Sequence, residues 1–305
     1  MENSSVVNGC LWMAVDVQFD EKAIHGRDAP ELWRAVIKDG LLATRAERAM
    51  LLLEPLRAQG EPTNVDCPGL VIECRDVSRG VARVFLKFLG EAYAFAPACL
   101  LALEAGLRQG VGLAKLSGSI FGIHVWHGGD WVEVPMPLLS SQLQHWRDDP
   151  AVLAGYRTDV GGLNGQQLLV LQTRSRWVWR QKGQWVVQAP QLLEVLHMIE
   201  QRVERFVRAW GGGEVTQCDA SIERAMQTAS QCRLVDQDWG QVRREVGGRY
   251  QSHGCQGRLC YEGPMTRELL YWLHVGSFLH IGQQAAIGLG GYDLALDGCG
   301  VGGLA

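Results

Sequence analysis

The spacing of hydrophobic positions changes several times along the first half of the chain. Alternating or β-branched runs predict strands at residues 11–19, 69–74, 81–88, 115–126 and 131–134. Apolar residues recur every three to four positions at 29–57 and at 96–106, where a glycine ends the pattern, and predict helices. The resulting order, β-α-β-β-α-β with a trailing strand, is that of a split β-α-β unit, the ferredoxin-like arrangement.

The same order of patterns starts again in the second half. Residues 146–166 combine Pro, Gly and Asp without a period and predict a domain boundary. After them come strands at 167–173, 233–238, 258–261 and 291–296, a hairpin at 177–187, and helices at 191–210, 221–230 and 266–280. A glycine-rich loop follows the last helix of each half, at 106–118 and 282–294. We therefore predict an α+β protein of two tandem ferredoxin-like (RRM-like) domains, 1–150 and 166–305.

Composition and charge restrict the function classes. A formal net charge of -4 over 305 residues gives no global attraction to a polyanion, so a nucleic-acid site must be a local basic patch. The nine cysteines include no C-x-x-C pair and predict buried thiols in a reducing compartment. No signal peptide and no long apolar stretch is present, so we expect a cytoplasmic protein with no membrane partner. Because no His/Cys/Asp cluster has zinc spacing, we expect no metal and no cofactor.

The C-terminal loop and two groups of cations are the candidate binding residues. His280, Gly282, Gly288 and Gly290 lie in LHIGQQAAIGLGGYDL, where glycines let backbone N–H groups approach phosphates. The alternative is a plain helix-to-strand turn. Arg174, Arg176, Arg180 and Lys182 alternate with tryptophans, and an extended chain would put these cations on one face. The alternative is a solvated hairpin whose tryptophans pack on the core. The second group comprises Arg243, Arg244, Arg249 and Arg258.

The C-terminal loop, with its final G-x-G-aromatic turn at Tyr292, resembles the glycine-rich signature of the RAMP (repeat-associated mysterious protein) superfamily, which includes the CRISPR RNA-processing endoribonucleases. The stretch DWGQVRREVGGRYQSHGCQGRLCYEGP is similar to another run of that family, and the likeness extends in order over residues 81–126 and 167–296. The chain departs from the family at Gln283 and Gly291, where members commonly carry lysine and arginine.

This resemblance implies binding of a CRISPR repeat stem-loop and its metal-independent cleavage to mature guide RNA. In that reaction the 2′-hydroxyl attacks the adjacent phosphate, and a general base, a general acid and positive charge suffice. Catalytic groups in the family often lie near the first helix, which indicates His25 and Lys38. Other CRISPR effector subunits are expected partners. Two alternatives remain: a catalytically silent guide-RNA-binding subunit of the same superfamily, and an enzyme that uses the duplicated scaffold for a small molecule.

Overall fold

The computed structural model of the chain describes residues 9–19, 30–54, 67–78, 80–112, 115–135, 137–156, 166–181, 184–211, 220–246, 250–282, 285 and 288–296. Internal contacts divide the chain into two compact units. The first comprises Met1–Asp149, Arg205–Glu214 and Ala286–Gly288. The second comprises Pro150–Glu204, Val215–Ala285 and Leu289–Ala305. Each unit is built around its own sheet.

The first unit has a five-stranded antiparallel sheet. Its elements are β1 (Leu11–Phe19), α1 (Pro30–Ala43), β2 (Leu70–Ser78), β3 (Val81–Phe88), α2 (Ala96–Gln109), β4 (Gly118–His127), β5 (Asp130–Glu133) and a short α3 (Ser140–Leu143). Turns of 3-10 helix lie at Glu47–Leu52, Gly90–Phe95 and Gln144–Trp146. The strand order β2-β3-β1-β4-β5 is the ferredoxin-like order with one extra edge strand, β5.

Alternation along the strands gives this sheet one apolar face for the two helices. Met13 and Val15 of β1 and Val84 of β3 are fully buried in a core that also contains residues of α1 and α2. The helices approach closely because glycines lie where they meet: a Cβ on Gly40 would come within 1.7 Å of the Ala102 carbonyl oxygen. A second glycine, Gly106, lies against Val36 in the same way. The crossing therefore depends on residues without side chains.

The second unit repeats the arrangement with four strands. Its elements are α4 (Pro150–Leu153), β6 (Gln166–Thr173), β7 (Arg180–Gln181), β8 (Gln184–Trp185), α5 (Leu192–Trp210), α6 (Ala220–Ala229), β9 (Arg233–Val246), β10 (Tyr250–Pro264), α7 (Arg267–Leu279) and β11 (Tyr292–Leu296). Residues 205–210 of α5 group with the first unit. The strand order β11-β6-β10-β9 is again ferredoxin-like, and β7 and β8 form a separate two-stranded ladder. The predicted fold of two ferredoxin-like halves is confirmed.

Two local predictions need correction in their extent. The hairpin expected at 177–187 turns at the predicted position, with Arg180 paired to Trp185 and Gln181 to Gln184, but it is shorter than predicted, because Trp177 bridges to Cys255. Strands β9 and β10 are two to four times longer than the predicted runs, because their outer halves lack the apolar alternation that marks a core-facing strand. The first unit's main segment ends at Asp149, inside the predicted boundary segment, and α4 lies in the second unit. No helix in the described part of the chain has both the length and the hydropathy to cross a membrane.

Candidate nucleic-acid interface

The glycine-rich loop follows α7 directly and has an unusual backbone. His280 has φ +59, and Gly282, Gly288 and Gly290 have φ between +81 and +84. This left-handed region is accessible to glycine at little cost. The glycines are also needed for space, because a Cβ on Gly282 would lie 2.7 Å from the Val178 carbonyl oxygen and one on Gly290 would lie 1.8 Å from that of Ile281. The backbone is therefore tightly packed at Gly282 and Gly290.

The predicted phosphate cradle is wrong at Gly290, because its N–H group is already used inside the unit. The Gly290 N–H donates to the Arg176 carbonyl at 3.0 Å. The neighbouring Gly291 N–H donates to the Ser175 hydroxyl at 3.0 Å. These bonds tie the loop to the segment after β6. For Gly282 and Gly288 the structure gives the turn geometry described above, and their binding to RNA stays a prediction.

His280 is also not a surface ligand for RNA. Its side chain is 1% exposed, and Nδ1 lies 3.2 Å from the Leu289 carbonyl oxygen across the loop. The ring fills the space beside Gly291, where an added Cβ would lie 2.9 Å from it. A buried ring cannot reach a polynucleotide in this conformation, so the prediction that His280 binds RNA directly is wrong. Its contacts with Leu289 and Gly291 agree with a role in orienting the backbone of the glycine-rich loop.

The cations of residues 174–182 do not share one face. Arg176 is 5% exposed, and Arg174 donates to the Ser277 carbonyl at 2.9 Å and pairs with Asp293. Arg180 is exposed, and its guanidinium lies 4.0 Å from the ring centroid of Trp185. The period-two prediction is wrong because the chain bends after β6 and is held there by the loop. Lys182 lies outside the described residues.

The aromatic residues of this segment also divide between core and surface. Trp177 is buried, with its ring edge-on to Trp239 at 5.6 Å and to Tyr292 at 5.3 Å between centroids. Trp185 is 44% exposed. The alternative in which the tryptophans pack on the core is therefore correct for Trp177. Trp185 and Arg180 instead form a flat cationic and aromatic surface that suits a nucleobase.

The second group of arginines is spread along the β9–β10 hairpin. Arg243 pairs in register with His253, and Arg244 with Ser252, near the end of the ladder. Arg249 lies outside the described residues, as do the side chains of the other two. Arg258 is paired with Asp238 in register and forms an ion pair with Asp236 at 3.3 Å. Five residues of strand, about 17 Å, separate this position from Arg243, so Arg258 does not belong to the tip.

The candidate catalytic residues lie at the start of the first unit. His25 lies outside the described residues. Lys38 is on α1, and its Nζ lies 2.5 Å from a carboxylate oxygen of Glu54. The hydrogen bond from Lys38 lowers the pKa of the Glu54 carboxyl below its ordinary value. Lys38 keeps a solvent-exposed ammonium, but that ammonium already has an anionic partner.

A polar cluster that the sequence pattern did not reveal lies on the sheet face of the first unit that points away from α1 and α2. Arg83 binds both carboxylate oxygens of Asp16, at 2.6 and 2.8 Å, and His124 Nε2 lies 3.1 Å from Oδ2. Burial alone would raise the pKa of Asp16, but the hydrogen bonds and charges of Arg83 and His124 lower it. These residues come from three strands, so only the alternation of Asp16 within an apolar strand hinted at them.

The described residues contain no group of three or more His, Cys, Asp or Glu side chains that could hold a metal ion.

Comparison with known proteins identifies the family that the second half matches. Residues 169–292 match the model of the family described as CRISPR-associated endoribonuclease Cas6. That range contains the glycine-rich loop and the β9–β10 hairpin, and the predicted resemblance to CRISPR RNA-processing endoribonucleases is confirmed over it. No curated protein matches the sequence.

Solved structures share the fold at low identity. A Cas6 (TTHA0078) product complex has a TM-score of 0.56 and 16% identity over 94% of this chain and 99% of that one. Thermus thermophilus Cas6 (TTHB231) has a TM-score of 0.53 and 10% identity over 94% of this chain and 98% of that one. A partial Cas6-RT-Cas1–Cas2 complex has a TM-score of 0.61 and 12% identity over 95% of this chain and 47% of that one. At these identities the likeness concerns the fold.

Proposed function

We propose, from the match of residues 169–292 to the Cas6 endoribonuclease family, that this chain binds the stem-loop of a CRISPR repeat RNA and cuts it to mature guide RNA. The family match is the observation that carries the proposal. The fold supports it, because solved structures with the same fold over nearly the whole chain include a Cas6 product complex.

The proposed reaction is metal-independent transesterification. The 2′-oxygen forms a bond to the adjacent phosphorus as the bond from phosphorus to the 5′-oxygen breaks, which leaves a 2′,3′-cyclic phosphate and a 5′-hydroxyl. A base accepts the proton of the 2′-hydroxyl, an acid protonates the leaving oxygen, and a cation stabilises the charged phosphorane. We assign the acid-base role to His25. Lys38 is the candidate cation, which requires the ammonium to exchange Glu54 for phosphate.

RNA affinity is proposed to come from local cations, since the net charge of the chain is -4. The backbone register of Arg243 and Arg244 near the end of the β9–β10 ladder supports that end as the main cationic region, ahead of Arg174 and Arg176, which are held inside their unit. Arg249 follows these two arginines in the sequence and is proposed with them. The surface formed by Arg180 and Trp185 is the second binding region. We also propose that the chain associates with other CRISPR proteins, a proposal supported by its likeness to the Cas6-RT-Cas1–Cas2 complex.

A second candidate is a catalytically silent guide-RNA-binding subunit. The ion pair between Lys38 and Glu54 favours it, because a cation that is already neutralised contributes less to binding the phosphorane. The two candidates differ only in chemistry, since both bind the same RNA.

One experiment tests the proposal and separates the two candidates. The chain is incubated with the hairpin repeat RNA of its neighbouring array in EDTA, and the ends of the products are mapped. Cleavage that leaves a 2′,3′-cyclic phosphate is expected, and a 2′-deoxy nucleotide at the cut should abolish cleavage while binding persists. Binding without cleavage would favour the silent subunit. A strict magnesium requirement, or cleavage of the deoxy-substituted RNA, would refute the mechanism.

A further inference from the structure

A cleft opens on the second unit where β6 ends and the β9–β10 hairpin continues past it. The cleft has a volume of about 380 Å³ and is lined by Gln172, Thr173, Asp238, Gly240, Gln241, Val242, Gln256 and Gly257. Thr173, the last residue of β6, exchanges hydrogen bonds with the Gly257 backbone, with an N–H to Oγ1 distance of 2.9 Å. This pair of hydrogen bonds fixes the wall of the cleft against the hairpin.

The floor of the cleft is open because the hairpin has a glycine, Gly240, at this position. Gly240 pairs in register with Gln256, and a Cβ added to Gly240 would meet nothing within 4 Å. A flat ligand can therefore lie on the sheet at this point. The edges carry the amide of Gln256, which is paired with Gly240, and the exposed carboxylate of Asp238, a set that both donates and accepts hydrogen bonds.

We infer that this cleft binds one unpaired guanine base of the RNA, an inference that rests on the proposed function. A carboxylate accepts hydrogen bonds and cannot donate them. Guanine is the standard base with two adjacent N–H donors, N1–H and the N2 amino group, on its Watson–Crick edge, and unpaired bases are read on that edge. The Gln256 amide can donate to O6 or N7. Adenine, cytosine and uracil each offer a single donor group there, beside acceptors that the carboxylate repels.

The position along the hairpin agrees with this assignment. Gly240 lies three residues, about 10 Å of strand, from Arg243 at the predicted phosphate-binding end. A strand held there by its phosphates can therefore place a base in the cleft one or two nucleotides away.

The test measures affinity of the full chain for repeat RNAs in which each unpaired guanosine is replaced in turn by inosine, which lacks the N2 amino group. For the unmodified protein, one replacement should weaken binding about tenfold, the size expected when one base-specific hydrogen bond is removed. The same replacement should have a smaller effect in Asp238→Asn, whose amide keeps one uncharged acceptor oxygen, and no effect in Gly240→Leu, which fills the floor. Asp236→Asn, the same charge change two residues away and outside the cleft, is the matched control and should keep the inosine effect.

Equal inosine effects in the unmodified protein and in Asp238→Asn would overturn the inference while leaving the proposed function intact. If the unmodified protein neither binds nor cuts repeat RNA, the proposed function fails, and guanosine monophosphate then tests the cleft by itself. Saturable NMR shifts at the Gly240 and Gln241 amides that Asp238→Asn abolishes would support the site. The absence of such shifts would overturn it.

Discussion

At the scale of single residues, Gly290 and Gly129 show two different reasons why a position requires glycine: backbone conformation and lack of space. Both have left-handed backbones, with φ +84 and +94, but a Cβ would clash with Ile281 at Gly290 and would meet nothing within 4 Å at Gly129. Gly129→Ala should cost about 1 kcal/mol from backbone strain alone. Gly290→Ala should cost about 3 kcal/mol or more, because overpacking adds to that strain. Chemical denaturation measures both, and equal costs would mean that the loop is not folded tightly against Ile281.

Asp16 should make stability depend on acid pH. Its carboxyl pKa is lower in the folded chain than the ordinary 3.8, because Arg83 and His124 outweigh the effect of burial. The stabilisation is therefore present above pH 3.8 and is lost as the pH falls through the lower, folded-state pKa. Asp16→Asn should cost about 2 kcal/mol at pH 7, and the difference from the unmodified protein should shrink in acid.

Measurement of unfolding free energies across that range checks the Asp16 prediction. Glu47→Gln, a change at an exposed carboxylate, is the control for loss of charge. A cost of Asp16→Asn that stays constant down to about pH 2 would contradict the role of the Arg83 bond.

His25 carries the catalytic prediction. His25→Ala should lower the single-turnover rate about 100-fold with little change in RNA affinity, since loss of a general acid or base affects the transition state and leaves the phosphate-binding cations in place. His127→Ala, at an exposed histidine of the β4–β5 hairpin, is the matched control. An unchanged rate in both variants would remove His25 from the mechanism and strengthen the silent-subunit candidate.

At the scale of elements, the periodicity of hydrophobic residues predicted the strands and helices that pack on each core. It did not predict the structure of segments that extend beyond the core. The outer parts of β9 and β10 have too few apolar residues to give the alternation that marks a core-facing strand. The bend of residues 174–176 depends on hydrogen bonds to Gly290 and Gly291, more than a hundred positions later. The Asp16 cluster depends on partners 67 and 108 residues away. One sequence does not specify such pairings.

These corrections move the salt-dependence prediction from residues 174–182 to the β9–β10 hairpin. Joint replacement of Arg243 and Arg244 by alanine should reduce the slope of log affinity against log salt by about 0.7 to 0.9 for each phosphate that is no longer neutralised. Arg233→Ala, at the base of the same hairpin, where the guanidinium pairs with Glu262 at 3.0 Å, should leave the slope unchanged. Equal slopes for all three proteins would instead point to Arg180 and Lys182.

At the scale of the whole chain, the compact units do not coincide with two continuous stretches of sequence. The predicted domain 1–150 ends where the first unit's main segment ends, yet that unit also contains Arg205–Glu214 and Ala286–Gly288. Within it, Trp210 Nε1 donates to the Cys67 carbonyl at 2.7 Å, and its ring packs edge-on to Phe95 with centroids 6.3 Å apart. The packing of the first unit is therefore completed by residues encoded far along the chain.

A fragment of residues 1–149 should consequently be less stable than the same residues in the full chain. The fragment lacks Trp210, whose ring packs so closely on Gly69 that a Cβ added there would lie 2.7 Å from it. Truncation of a large packed aromatic side chain costs about 3 kcal/mol of unfolding free energy. Hydrogen exchange of the β1 and β3 amides measures the effect, since core strands report the opening of their unit. Trp210→Ala in the full chain should lower the same protection, whereas Trp185→Ala, at an exposed tryptophan of the second unit, should not. Equal protection of β1 and β3 in the fragment and the full chain would mean that the first 149 residues form a complete domain and that Trp210 contributes nothing to its stability.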